Sequence, residues 1–72
     1  MTTVEALARD ARSAAAHSAS GTASSIIRFP NGQHVGVSYD LDADCLTYRI
    51  GGRAVDESQL RVTLLDLESR FR

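Results

Sequence analysis

Three aspartates at alternate positions, in the stretch SYDLDADC (residues 38–45), are the residues that most resemble a chemical site. Asp40, Asp42 and Asp44 have the spacing of the first three ligands of an EF-hand calcium loop. The rest of that loop is missing, because Cys45 stands where the loop needs glycine and Gly51 stands where it needs a bidentate glutamate. We therefore interpret the stretch as the polar turn of a β-hairpin and expect no bound metal.

A nucleophilic or zinc site has equally little support. Cys45 is the one cysteine of the chain, and His17 and His34 are its two histidines. A Cys45–His34 dyad is conceivable because both side chains would point away from the core, but no third residue can be placed beside them. Zinc needs about four ligands, and these three residues lack the paired spacing of a zinc motif. No glycine-rich phosphate loop occurs either. We expect a protein that is not an enzyme and has no cofactor.

The composition of the chain further restricts the class of protein and its partners. The 72 residues carry a net charge of -1 and are 43% hydrophobic, which is typical of one small folded domain. This charge gives no general attraction to nucleic acid or to an anionic membrane. No apolar run approaches the ~20 residues of a membrane span. A single cysteine excludes an internal disulfide, and the N-terminus lacks the features of a secretory signal. We expect a cytoplasmic protein with no membrane partner.

The N-terminal part of the chain has a helical pattern. Residues 1–17 are predicted to form a helix that begins with a capping box of Thr2 and Glu5. Its apolar stripe consists mostly of alanine, so it is shallow and buries little. Residues 18–24, rich in serine and glycine, are predicted to be a linker.

The C-terminal part is predicted to form a second helix over residues 57–71. Asp56 and Gln59 resemble a capping box at its start. Large apolar residues recur at helical spacing, which places Leu60, Leu64, Leu67 and Phe71 on one face. Burying this stripe on a sheet is expected to supply much of the core.

Between the helices, apolar and polar residues alternate over residues 25–55, which predicts an antiparallel meander. A three-residue loop at 30–32 would set Ile27 opposite Val35 and keep the apolar side chains on one face. A two-residue turn in the same loop would instead oppose Arg28 to Val35, so the longer loop is preferred.

The later strands follow from the same reasoning. We predict that Leu41 pairs with Leu46 across a loop of residues 42–45. A tight Gly-Gly turn would then pair Tyr48 with Val55 and add a short fourth strand.

These elements predict an α+β fold in one domain, residues 1–72. It consists of an N-terminal helix, a three- to four-stranded antiparallel β-meander and a C-terminal helix packed on one sheet face. The other sheet face would be largely polar. It is either solvated, covered by the first helix, or a docking surface.

That polar face and the aspartate-rich turn are the surfaces left for function. We expect another protein as the partner, because mixed charge on a small surface suits a protein better than a polyanion. The predicted contact residues are Arg28, Arg49, Arg53, Asp42 and Asp44, since arginine is favoured at interfaces. The chain would be a small regulator or inhibitor. Accessory proteins of phages and mobile elements, anti-defence inhibitors among them, are similar to it in size alone.

Two further expectations concern other partners. The alternative function is a nucleic-acid-binding module, in which arginines of a sheet face contact phosphates and guanine in the major groove. The chain has no lysine and carries three aspartates at the turn, so this reading is second. We also expect a homodimer, formed by helix packing or by pairing of an edge strand, because so small a core leaves apolar surface to cover.

Overall fold

The structure, a computed structural model, describes residues 2–71, and the predicted helix start at Met1 lies outside them. In chain order its elements are α1 (Thr3–Ala16), β1 (Thr22–Arg28), β2 (His34–Asp40), β3 (Cys45–Ile50), β4 (Arg53–Val55) and α2 (Glu57–Arg70). The strands within this range form one antiparallel sheet in the order β1-β2-β3-β4. The predicted α+β architecture is confirmed, with the fourth strand present.

Helix α1 begins where the sequence places its cap. The Thr2 hydroxyl accepts a hydrogen bond from the Glu5 backbone N–H at 3.2 Å, which satisfies one of the free amides of the first turn. The helix ends at His17, where the His17 N–H bonds the Ala14 carbonyl at 3.2 Å and the Ser18 N–H bonds the Ala15 carbonyl at 3.1 Å. The buried stripe of α1 consists of Val4, Leu7, Ala8, Ala11 and Ala15.

Helix α2 carries the full predicted capping box. The Asp56 carboxylate accepts from the Gln59 backbone N–H at 2.8 Å, and the Gln59 side chain accepts from the Asp56 N–H at 3.4 Å. Leu60, Leu64 and Leu67 are buried as predicted. Phe71 follows the helix and is 39% exposed, with its ring 6.1 Å from that of Phe29.

Both helices pack on the same face of the sheet. One core cluster joins residues of α1, of α2 and of the central strand, with Leu7, Leu64, Val35 and Val37 among them. A second cluster places Tyr39 against the alanines of α1. The result is a two-layer structure in which α1 does not cover the polar sheet face. That resolves one of the alternatives left open by the sequence. No helix within residues 2–71 has the length and apolar character needed to cross a membrane.

The first and third hairpins have the predicted register. Ile27 pairs with Val35, and the Phe29 N–H bonds the Gln33 carbonyl at 2.8 Å across the three-residue loop. Tyr48 pairs with Val55 across the Gly-Gly turn. Both glycines of that turn have positive φ, 59° and 85°, as the tight hairpin turn requires.

The predicted register of the second hairpin is wrong by two residues. Tyr39, not Leu41, pairs with Leu46, and the loop runs over residues 41–44. Leu41 is 48% exposed and its N–H bonds the Gly21 carbonyl at 2.8 Å. The turn is fixed instead by Asp44, which adopts a left-handed φ of 49°. A shift of two residues keeps every side chain on its face, so the hydrophobic pattern could not detect it.

The predicted linker is also too long. Residues 22–24 belong to β1, which pairs with the end of β2 from Thr22 opposite Asp40 onward. Serine and threonine here mark a strand with polar side chains on its outer face. The connection between α1 and the sheet is therefore only residues 17–21.

Candidate protein-binding face

The side of the sheet opposite the helices, here called the open face, carries alternate residues of all strands. In order along the sheet these are Thr22, Ser24, Ile26 and Arg28 of β1, His34, Gly36, Ser38 and Asp40 of β2, Cys45, Thr47 and Arg49 of β3, and Ala54 of β4. The predicted contact residues Arg28 and Arg49 both lie on this side, because the face assignment depends only on the period of two. Within residues 2–71 no helix packs on it.

The apolar feature of the open face is Ile26, which is 53% exposed. Its cross-strand partner is Gly36, which in turn lies opposite Arg49. A Cβ at Gly36 would come within 3.1 Å of both Ile26 Cγ1 and the Ser25 carbonyl. Glycine therefore permits the isoleucine side chain to lie close over β2. Ile26 and Arg49 thus flank a shallow, glycine-floored site on the open face.

Hydroxyl groups occupy the row next to it. Ser24 and Ser38 form a hydrogen bond between their Oγ atoms at 2.7 Å, and Thr47 pairs with Ser38 from the other side. Arg49 donates from Nη1 to the Gly52 carbonyl at 3.5 Å, which leaves its guanidinium able to bind elsewhere. The open face therefore offers hydrogen-bonding groups around a single apolar side chain.

The structure separates the five predicted contact residues. Arg28 and Arg49 share the open face and lie towards one end of the sheet. Arg53 is the partner of Ile50 and has the same orientation as the helix-side residues of β3 and β4, so it is not part of the open face. Asp42 and Asp44 lie beyond the far end of β2, about 20 Å from the Arg28 end at ~3.3 Å per residue.

The aspartates of the turn are engaged in holding the turn. One oxygen of Asp40 accepts from the Asp42 and Ala43 N–H groups at 3.0 and 3.4 Å. Asp44 accepts a hydrogen bond from the Tyr39 hydroxyl at 2.5 Å. That bond raises the pKa of Tyr39, and burial of the phenol adds to the effect. Arg12 of α1 lies over the Tyr39 ring, 5.6 Å from its centre. The alternating aspartates thus act as turn and packing residues.

Within residues 2–71 the turn aspartates form no metal-binding group. Among residues 2–71, no group of three or more histidine, cysteine or acidic side chains is arranged to hold a metal ion. Cys45 and His34 do share the open face, but Cys45 lies opposite Asp40 at one end of β2 and His34 begins the strand at the other. About 20 Å therefore separates the two, and the conceivable dyad does not form.

A second polar cluster was not predicted from the sequence. The Tyr48 hydroxyl donates to one oxygen of Glu57 at 2.9 Å, and Arg61 Nε donates to the other at 3.0 Å. Arg61 also donates to the Thr2 hydroxyl at 3.3 Å, so the cluster joins β3, α2 and the start of α1. The four-residue spacing of Glu57 and Arg61 was visible in the sequence, but the tyrosine and threonine contacts were not.

The pKa shifts in this cluster follow from its contacts. The hydrogen bond from Arg61, and then that from Tyr48, lowers the pKa of Glu57. Burial, and then the bond to Glu57, raises the pKa of Tyr48. A groove of about 280 Å³ adjoins the cluster, with Arg9 and Arg12 of α1 on its other wall. The Glu57 carboxylate is already paired with Arg61 and Tyr48, so it is not free to bind a ligand. These contacts, with that of Arg61 to Thr2, hold the two helices to the sheet.

Comparison of the chain with models of protein families, with curated proteins and with solved structures finds no match.

Proposed function

We propose that this chain is a small, non-enzymatic protein-binding module, a regulator or inhibitor, that holds its partner against the open face. The observation that carries the proposal is the side on which the helices pack. Both lie on one face, and the opposite face exposes Ile26 beside Gly36 with arginines on either side. An exposed apolar side chain ringed by hydrogen-bonding groups has the character of the centre of a protein interface.

The charge of the open face indicates what kind of protein surface would fit. It carries Arg28 and Arg49 against the single carboxylate of Asp40. An acidic patch with an apolar recess for Ile26 is the complementary surface. The arginines can bond carboxylates through two nitrogens at once, which gives the contact its orientation.

The aspartates of the turn take a smaller part than the sequence suggested. Asp44 is bonded to Tyr39 and Asp42 lies far from the arginines, so neither belongs to the same contact area. Arg53 likewise faces the helix side at the sheet edge. We infer that the binding surface is centred on Ile26, Arg28 and Arg49.

The one cysteine is exposed and unpaired, which supports a reducing cytoplasm as the location.

The proposal is tested by comparing tagged baits in a lysate of the cell that carries the gene. The wild-type chain should retain a specific protein, and Ile26→Asp or the pair Arg28→Glu and Arg49→Glu should lose it. Arg9→Glu is the matched control, because Arg9 is an exposed arginine on the helix side. A protein retained equally by the open-face variants and the control would contradict the proposal.

Nucleic-acid binding is the outcome that would replace it. Gel-shift titration with random duplex and single strands at low salt should show no binding at micromolar concentration. Binding that is lost steeply as salt rises, and that the Arg28→Glu and Arg49→Glu pair abolishes, would instead assign the open face to a polyanion.

A further inference from the structure

Strand β1 forms an unprotected edge of the sheet. Gly21 and Leu41 at one end, and Phe29 and Gln33 at the other, are joined by backbone hydrogen bonds, and the register between them is continuous. Because hydrogen-bonded pairs alternate in an antiparallel ladder, the odd-numbered residues of β1 bond β2. The N–H and C=O groups of Thr22, Ser24, Ile26 and Arg28 therefore point outward, away from the sheet.

The outward backbone groups of Ser24, Ile26 and Arg28 have no hydrogen-bond partner among residues 2–71. Those of Thr22 contact the Ser20 hydroxyl, with the N–H at 3.4 Å and the C=O at 3.5 Å. The edge is seven residues long and contains no proline, no bulge and no charged residue before Arg28. Such an edge is a template for another strand. The opposite edge, β4, has only three residues and leads directly into α2.

We propose that β1 pairs antiparallel with β1 of a second copy of this chain, about a two-fold axis at Ser25. This register opposes Ser24 to Ile26 of the second copy and Thr22 to Arg28 of the second copy. The two Ser24–Ile26 pairs give four hydrogen bonds, and the two Thr22–Arg28 pairs give four more where Thr22 exchanges its Ser20 contacts for the second copy. The two sheets become one continuous sheet with both pairs of helices on the same side.

The side chains on both faces fit this register. On the helix side, Ala23 lies opposite Ile27 of the second copy, so apolar residues continue across the junction. On the open face the two Ile26 side chains become diagonal neighbours, within contact distance of each other. A second copy thereby covers part of the exposed isoleucine.

Charge complementarity favours a second copy over an unrelated strand. In the same register, Arg28 of the second copy lies in one row with Thr22 and Asp40, two strand spacings or about 10 Å from the aspartate. An extended arginine and a carboxylate can bridge that distance together. Arg28 forms no ion pair within residues 2–71. The contact between Arg28 and Asp40 occurs twice by symmetry. The proposed β1 dimer does not depend on whether the open face binds another protein.

The first test uses substitutions at Ser24, whose N–H points outward. Ser24→Pro removes that N–H without removing a backbone hydrogen bond to β2, while Ser24→Ala keeps the N–H. Both variants lose the same hydroxyl contact to Ser38, so they are matched. A single-strand junction is a small interface, so we expect a micromolar dimer by sedimentation. Ser24→Pro should weaken it by about tenfold or more, and Ser24→Ala by much less.

The second test traps the register and does not depend on Ser24→Pro folding. In a Cys45→Ser background, Ser25→Cys places two thiols across the axis, at a Cα separation that allows a disulfide. It should crosslink under mild oxidation. Ala23→Cys lies on the same face but away from its symmetry mate, so it should not. A monomer at all concentrations, a dimer that both Ser24 variants retain, or equal crosslinking at 23 and 25 would overturn the proposal.

Discussion

Leu64 and Leu65 are neighbours on α2 with opposite environments, and they provide a matched test of where the core lies. Leu64 is 2% exposed within the cluster that joins α1, α2 and the sheet, whereas Leu65 is 71% exposed. Replacing either by alanine deletes the same three carbons from the same turn of the same helix. Helix propensity changes little in both cases, since alanine and leucine are both good helix formers. Only the loss of packing differs.

The expected cost at Leu64 can be worked from its burial. Three buried carbons at ~0.8 kcal/mol each give about 2.4 kcal/mol, and the cavity left behind adds to this, for a range of ~2–5 kcal/mol. A chain of this length is expected to have roughly 4–11 kcal/mol of total stability. Leu64→Ala should therefore remove a large share of it. At ~4–8 °C per kcal/mol, Tm should fall by at least about 10 °C.

Urea and thermal unfolding followed by far-ultraviolet circular dichroism measure both variants. Leu65→Ala should unfold within about 0.5 kcal/mol of the wild type, as surface substitutions usually do. Concentrations must be held equal, because self-association would shift the midpoints. If Leu64→Ala and Leu65→Ala unfold together, the packing of α2 described above is wrong.

Three other features have measurable consequences. The pKa of Glu57 is lowered from about 4.5, so its contribution to stability is present above that pH and is lost as pH falls. The difference in Tm between wild type and Glu57→Gln should therefore shrink on acidification, and a constant difference would contradict this role of Glu57. Gly52→Ala, at a φ of 85°, should cost about 1–2 kcal/mol by urea unfolding, and unchanged stability would refute the turn geometry. Excess chelator and added calcium should give the same Tm; a calcium shift of several degrees would reveal a site at the aspartate turn.

The parts of the fold predicted correctly from the sequence are those that local chemistry determines. The caps at Thr2 and Asp56 mark the helix starts because their side chains bond amides three residues on. The Gly-Gly turn and the loop at 30–32 fix their hairpins because positive φ is needed there. The alternation of the strands then assigns each side chain to a face.

What the sequence could not determine depends on contacts between distant residues. The register of β2 with β3 is set by the bond between Tyr39 and Asp44, and by the bond of Leu41 to Gly21. Neither is implied by hydrophobic period. The side on which α1 packs was also open, because a stripe of alanines fits either face. The same is true of the candidate site. The alternation of the strands predicted that Arg28 and Arg49 share a face, but it could not predict the hydrogen bond between Asp44 and Tyr39.

The open face remains uncovered for a reason of dimensions. Two helices of 14 residues are each about 21 Å long, and side by side they span roughly 20 Å. Four strands at ~4.8 Å spacing make a sheet of similar width, so both helices are used in covering one face. A single helix would have left about half of the apolar sheet face exposed to solvent. Within residues 2–71 no further element is left for the second face, and Ile26 stays exposed on it. The second copy proposed to join through β1 would cover Ile26 only at the junction, and the rest of the open face would remain exposed for the proposed partner.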